Sequence, residues 1–126
     1  KTVAPGAGLL NKLLRTDAAG IRSNQLKHYL GPQSNTVKTP DGKEIQLEGT
    51  GKPLVPLQEF VEAVGNTVMQ IRTVERAGGT SRETAADLVE SVRQIAIEGR
   101  FAIAEVYGTD SSELKQFEDG LQPVFR

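Results

Sequence analysis

The chain has 126 residues, which is enough for one domain with a hydrophobic core. It contains no cysteine, which excludes disulfides and thiolate metal sites and favours a cytoplasmic location. No stretch approaches the roughly eighteen consecutive apolar residues of a membrane span, so we expect no membrane partner. Because Lys1 is not a start methionine, we also expect residues upstream of it in the full protein.

The net charge of −1 conceals an uneven distribution along the chain. Residues 1–55 contain 8 Lys and Arg against 4 Asp and Glu, whereas residues 56–126 contain 7 against 12. The first part therefore carries +4 and the second −5. Such a split indicates that the two parts face different partners or face each other. The other interpretation is a chance imbalance, since charge differences of this size also arise by chance in small domains. We predict a basic part, 1–55, and an acidic part, 56–126, in one compact unit.

The stretch "AAGIRSNQLKHYL", residues 18–30, has apolar residues at helical spacing after a glycine. Gly20 fits the turn of a helix-turn-helix, and Ile21, Leu26 and Tyr29 fit the apolar positions after it. The residues upstream fit less well. Arg15 stands where the helix-turn-helix pattern has an apolar residue, and Thr16 stands where it has a small one. The stretch thus resembles a helix-turn-helix, and the competing interpretation is an ordinary buried helix with a solvated basic face.

Residues 36–47 contain Pro40-Asp41-Gly42 between two short runs of alternating apolar character. This is type I turn chemistry, and it predicts a β-hairpin that should pack on the helices, because a lone hairpin is marginally stable in water. The hairpin lies where winged helix-turn-helix proteins have their wing. The resemblance implies contacts to DNA from Arg15, Arg22, Ser23, Asn24, Gln25, Lys27, Lys38 and Lys43.

A long amphipathic helix follows a Pro/Gly-rich linker that ends at Pro56. Apolar residues recur at alternating steps of 4 and 3 from Leu57 to Ile71, which predicts a helix ending near Ala77. Two glycines then break the helix. Thr80 with Glu83 three residues later has the pattern of a capping box for the next helix.

The second helix repeats the alternation of 3 and 4 and runs to Tyr107, where Gly108 ends it. A short helix capped at Asp110 comes next. Because the connection between the two long helices is short, we predict that they form an antiparallel hairpin. Gly65 and Gly99 each cost about 1 kcal/mol inside a helix, so we expect the two helices to approach closely there.

The second helix is longer than the first, so residues 101–107 extend beyond Pro56 without a partner in the hairpin. This segment is strongly apolar, and a soluble chain rarely leaves such a patch exposed. Either the N-terminal helical part of the same chain or a second copy covers it. If a second copy does, the interface residues are Ile97, Phe101, Ile103, Val106 and Tyr107.

No catalytic pattern is present in the sequence. His28 is the only histidine, and it has no carboxylate or nucleophile nearby in the sequence. The acidic residues between Glu83 and Glu98 alternate with arginines, as on a solvated helix face, and lack the Glu-x-x-His spacing of di-iron bundles. We therefore predict no enzyme activity, no metal and no cofactor.

The sequence predicts a mainly α protein, with a long antiparallel helical hairpin, additional short helices and one β-hairpin. The first interpretation of function is a non-catalytic protein–protein interaction or assembly module, which associates with itself as a dimer or with another protein. The alternative is a small DNA-binding regulator in which residues 9–47 contact DNA and the helical hairpin dimerises.

Overall fold

The computed structural model describes residues 4–125 and is mainly helical. In chain order the elements are α1 (Pro5–Leu14), α2 (Ala19–Leu30), β1 (Asn35–Lys38), β2 (Glu44–Leu47), α3 (Leu57–Arg76), α4 (Arg82–Tyr107), α5 (Ser112–Gly120) and α6 (Gln122–Phe125). The predicted fold class is confirmed in its content of helices with one β-hairpin. Within these residues, none of the helices combines the length and apolar character needed to cross a bilayer.

Two helix starts are capped one residue later than the sequence pattern predicts. Ser81, rather than Thr80, precedes α4, and its Oγ accepts a hydrogen bond from the backbone N–H of Thr84 at 3.1 Å. Ser111, rather than Asp110, precedes α5 and accepts from the N–H of Leu114 at 3.1 Å. Both serines have extended backbone angles, which aim the hydroxyl at an otherwise unpaired N–H of the first turn.

One hydrophobic core joins the two parts of the chain. α1 packs mainly against α3 and α2 against α4, while α5 lies against both long helices. The rings of Phe60 in α3 and Phe117 in α5 are stacked, with their centroids 6.3 Å apart. The core therefore contains side chains from both sides of residue 55. Its largest fully buried members include Leu10, Leu26, Leu30, Phe60, Ile103 and Phe117.

The two glycines inside the long helices, Gly65 and Gly99, behave differently. A Cβ on Gly99 would lie 3.0 Å from Cζ of Phe117 and 3.8 Å from Cδ2 of Leu26. Gly99 is therefore closely packed, but its nearest neighbours come from α5 and α2, so the predicted close approach of α3 at Gly99 is wrong. A Cβ on Gly65 would meet no atom within 4 Å, so the predicted close approach there is wrong. Gly65 lies beside the α3–α4 contact and faces open space.

The β-hairpin forms as predicted, with Val37 opposite Ile45 and Gly42 at a φ of 87° in the turn. Thr39 donates to the carboxylate of Asp41 across this turn, and the bond lowers the pKa of that carboxyl. The predicted packing on the helices is not met by the strand side chains, because all of them except the half-buried Val37 are exposed. The strand ladder and the turn therefore hold this hairpin.

Candidate interaction surfaces

Arg22, a predicted DNA contact, is instead part of an internal ion pair. Its Nε and Nη2 donate to the two carboxylate oxygens of Glu98 in α4, each at 2.7 Å, and its Nη1 donates to the carbonyls of Thr16 and Asp17 at 2.7 and 3.0 Å. The side chains of Arg22 and Glu98 are only 15% and 12% exposed. The bond to Glu98 is the main reason that the pKa of Arg22 is raised. The guanidinium is therefore engaged within the chain, and its contact to DNA stays a prediction.

Two residues of α2 also depart from the helix-turn-helix pattern. Gly20 lies within the first turn of α2 rather than in the connection before it, and Ile21 is exposed rather than buried. Lys27 lies 3.2 Å from Glu105 of α4 in an ion pair. The other residues that the resemblance selects lie just after α1, in α2 and in the hairpin. Ser23 and Gln25 are half-buried, and the exposed residues are Arg15, Asn24, Lys38 and Lys43.

The chain's own α2 covers the end of α4 that extends beyond Pro56. Ile103 is 0% exposed, so it offers no surface to a second copy, and its place among the interface residues is corrected. Tyr107 donates from its hydroxyl to the carbonyl of Leu30 at 2.9 Å. Ile97 and Val106 are half-buried like Tyr107, and Phe101 is 66% exposed. The sequence left two possibilities for what covers residues 101–107. The N-terminal part of the same chain covers most of this segment.

The opposite end of the α3–α4 pair has the least cover. Between Val64 in α3 and Val92 in α4, Ala85 is the one buried residue. We call residues 65–91 the distal end. Its length on α3, residues 65–76, corresponds to about 18 Å of helix. Apolar side chains on both sides of the distal end are therefore open to solvent.

On one side of the distal end, a groove is lined by uncharged residues alone. α3 and α4 form a shallow groove there of about 240 Å³. Helical spacing extends this side along α4 to Thr84, which lies one turn before Leu88. Leu88 is 46% exposed, and Val74 is exposed to a similar extent. We call this side the uncharged flank, and its groove is lined by Thr67, Gln70, Ile71, Val74, Thr80 and Leu88.

The other side of the distal end forms a deeper cleft of about 520 Å³ between α3, α4 and the α5–α6 segment. We call it the α6 cleft. Its apolar lining comprises Val61, Gly65, Val68, Met69, Val89 and Val124. Arg72 and Arg93 also line it. Arg93 donates to Glu90 at 3.2 Å and to the carbonyl of Phe125 at 3.3 Å, while its Nε is buried without a hydrogen-bond partner in the described chain.

The described residues bring together no group of possible metal ligands. His28 is exposed, and its ring lies edge-on to that of Tyr29 with the centroids 5.0 Å apart. Among residues 4–125, no three His, Asp or Glu side chains come together as metal ligands. The uncharged flank and the α6 cleft, on the two sides of the distal end, are the candidate interaction surfaces.

Sequence reasoning missed both surfaces, although part of their signal is present. Val74 and Leu88 belong to the apolar stripes that predict the two helices, and such a stripe looks the same whether or not a neighbour covers it. The absence of charge from Thr67, Gln70 and Val74 is a further signal on α3. The chain matches no protein-family model, no curated protein and no solved structure in the comparisons made, so these surfaces are interpreted from their geometry.

Proposed function

We propose that the protein is a non-catalytic assembly module in which the antiparallel helical hairpin of α3 and α4 pairs with a second copy of the chain. The observation that supports this proposal is the uncharged flank. It combines exposed Val74 and Leu88 with small or neutral polar neighbours. Burying such half-exposed aliphatic side chains contributes roughly 1 kcal/mol for each one, and a symmetric dimer buries every one of them twice.

The lack of charge favours a second copy as the occupant. In a twofold-symmetric interface, residues near the axis face their own equivalents, so a charged residue there would face an identical charge. The uncharged flank avoids this repulsion, although the same helices carry charges on other faces, among them Arg76 and Asp87. Thr67 and Gln70 supply polar groups that can hydrogen-bond at the edge of such an interface.

The test is the molar mass in solution, measured by light scattering over a range of protein concentrations. We expect the parent chain to reach twice the mass of one copy. Leu88→Glu should remain helical by circular dichroism but stay monomeric, because its carboxylate is excluded from the interface and is hydrated in the monomer. The matched control is Met69→Glu, which places the same charge on an exposed apolar residue that lines the α6 cleft.

The control distinguishes the two sides of the hairpin. Met69→Glu should dimerise as the parent does. A parent chain that stays monomeric at every concentration would contradict the proposal. Loss of the dimer in Met69→Glu but not in Leu88→Glu would move the interface to the other side and overturn the role of the uncharged flank.

DNA binding through residues 9–47 is the alternative, although Arg22, one of its predicted contacts, is paired with Glu98. The two functions respond differently to salt. Counterion release makes DNA binding fall steeply between low and moderate salt, whereas association of apolar surfaces depends weakly on salt. A gel-shift assay at two salt concentrations, set beside the mass measurement, tests the alternative directly.

A further inference from the structure

We infer that the α6 cleft binds a small amphipathic carboxylate, such as a medium-chain fatty acid, with the hydrocarbon chain between α3 and α4 and the carboxylate at Arg72 and Arg93. The cleft lies on the side of the distal end opposite the uncharged flank, so this inference does not depend on the proposed dimer. Its volume of about 520 Å³ lies within the range of small-molecule sites. Its lining is largely apolar with a few charged groups, as such sites require.

Gly65 gives the cleft its depth. A glycine inside a helix destabilises that helix relative to alanine, and close packing is the usual compensation. At Gly65 no side chain or backbone atom uses the space, because a Cβ there would meet nothing within 4 Å. A bound hydrocarbon chain would use it.

One end of the cleft is closed by the packing of α5 on α3. A Cβ on Gly120, the last residue of α5, would lie 2.7 Å from Cγ1 of Val61. Since both residues line the cleft, α5 and α3 approach each other closely at that end of it. The occupant is therefore a ligand of limited length that enters from the side, rather than a chain that passes through.

The charges that line the cleft favour an anionic head group. Arg72 forms no salt bridge within residues 4–125, and the Nε of Arg93 is buried without a hydrogen-bond partner there. The acidic residue in the lining, Glu62, already accepts a hydrogen bond from Nε2 of Gln58 at 3.2 Å. A carboxylate offers acceptor oxygens for the exposed guanidinium of Arg72, and Arg93 adds positive charge to the same lining.

The probe is decanoate, kept below its micelle concentration and titrated into ¹⁵N-labelled protein. We expect saturable shifts of amide resonances in α3, α4 and α6. Decanol has the same chain without the charge and should bind at least tenfold more weakly. Decyltrimethylammonium has the opposite charge and should not bind measurably. Equal affinity for decanoate and decanol, or no saturable shift with decanoate, would overturn the inference.

Two variants connect the binding to named atoms. Arg72→Gln should weaken decanoate binding about tenfold while leaving decanol binding unchanged. Gly65→Ala should raise the melting temperature and weaken both probes, because the new methyl group occupies the cleft. The matched control is Gly20→Ala, since Gly20 lies in an exposed part of α2 with no atom within 4 Å of its Cβ position.

Gly20→Ala should leave decanoate affinity unchanged. Unchanged affinity in both Arg72→Gln and Gly65→Ala would show that decanoate binds elsewhere and would overturn the inference. The monomeric Leu88→Glu variant should bind decanoate like the parent. That result separates the two proposals, because failure of the dimer leaves decanoate binding intact, and absence of decanoate binding leaves the mass measurement unaffected.

Discussion

The two ends of α4 differ in cover although they share one pattern of apolar residues. From Val92 to Tyr107, α4 packs against α2 and the C-terminal helices as well as α3, and its inward side chains are buried. Before Val92, the main contact is with α3, and both sides remain open. Leu88 and Val92 lie one helical turn apart, yet Leu88 is 46% exposed and Val92 is 1% exposed. The spacing of apolar residues thus identifies a face of a helix but does not reveal how much of that face has a neighbour.

The largest expected effect comes from placing the same charge at the two ends. Ile103→Glu should unfold the protein or destabilise it by more than about 4 kcal/mol, because the carboxylate would be buried among apolar side chains without a partner. Leu88→Glu should retain the helical spectrum and lose only the dimer. Urea titrations followed by circular dichroism measure the free energy of unfolding of both variants, and light scattering measures the dimer. A folded, stable Ile103→Glu variant would show that α2 does not bury residue 103.

A second expected effect concerns how α2 is held on the covered end. Arg22→Met should destabilise the protein by about 2 kcal/mol, since it leaves the poorly solvated carboxylate of Glu98 without its partner. Lys27→Met removes the more exposed pair with Glu105 and should change the free energy of unfolding by less than about 1 kcal/mol. Similar small losses in both variants of a urea titration would indicate that the Arg22 pair is no more important than a surface contact.

Truncation of apolar side chains gives the next smaller difference. Val92→Ala should cost about 2 kcal/mol, because it leaves a cavity in the core. Leu88→Ala removes more atoms but should cost less than about 0.5 kcal/mol in dilute, monomeric protein, because its side chain is already half in water. If chemical denaturation shows the larger loss for Leu88→Ala, the distal end is better covered than the structure indicates.

The smallest effect is a pH dependence at the covered end. Burial raises the pKa of Tyr107 above its usual value of about 10, with a further contribution from the negative charge of Glu113. The unfolded chain therefore loses this proton first as the pH rises. The stability contributed by neutral Tyr107 is fully present below about pH 10 and is lost as the pH rises through the folded-state pKa.

Tyr107→Phe tests this dependence. The variant should lose about 1 kcal/mol at neutral pH, because the hydrogen bond to the carbonyl of Leu30 is removed. It should also lose less stability than the parent between neutral pH and about pH 11. Parallel curves for parent and variant in thermal melts over that range would contradict the role of Tyr107.

Local features of the fold follow from the sequence because short-range chemistry decides them. The Pro40-Asp41-Gly42 turn, the end of α4 at Gly108 and the extents of α3 and α4 depend on residues a few positions apart. Even the two errors in the caps amount to one residue, because adjacent hydroxyl and carboxylate side chains compete for the same N–H groups.

The candidate surfaces depended instead on contacts between distant residues. The sequence placed Arg22 on a solvated basic face, but Glu98, 76 positions away, pairs with it. It left open whether the N-terminal part or a second copy covers Ile103, and α2 covers it. The groove beside Leu88 and the cleft beside Gly65 remain open because the other helices pack elsewhere. The sequence by itself determined which segments become helices and strands and which faces are apolar, since backbone conformation and periodicity are local. Only the tertiary structure decided which apolar faces are covered and which charges are paired, because burial and ion pairing depend on distances between elements far apart in the chain.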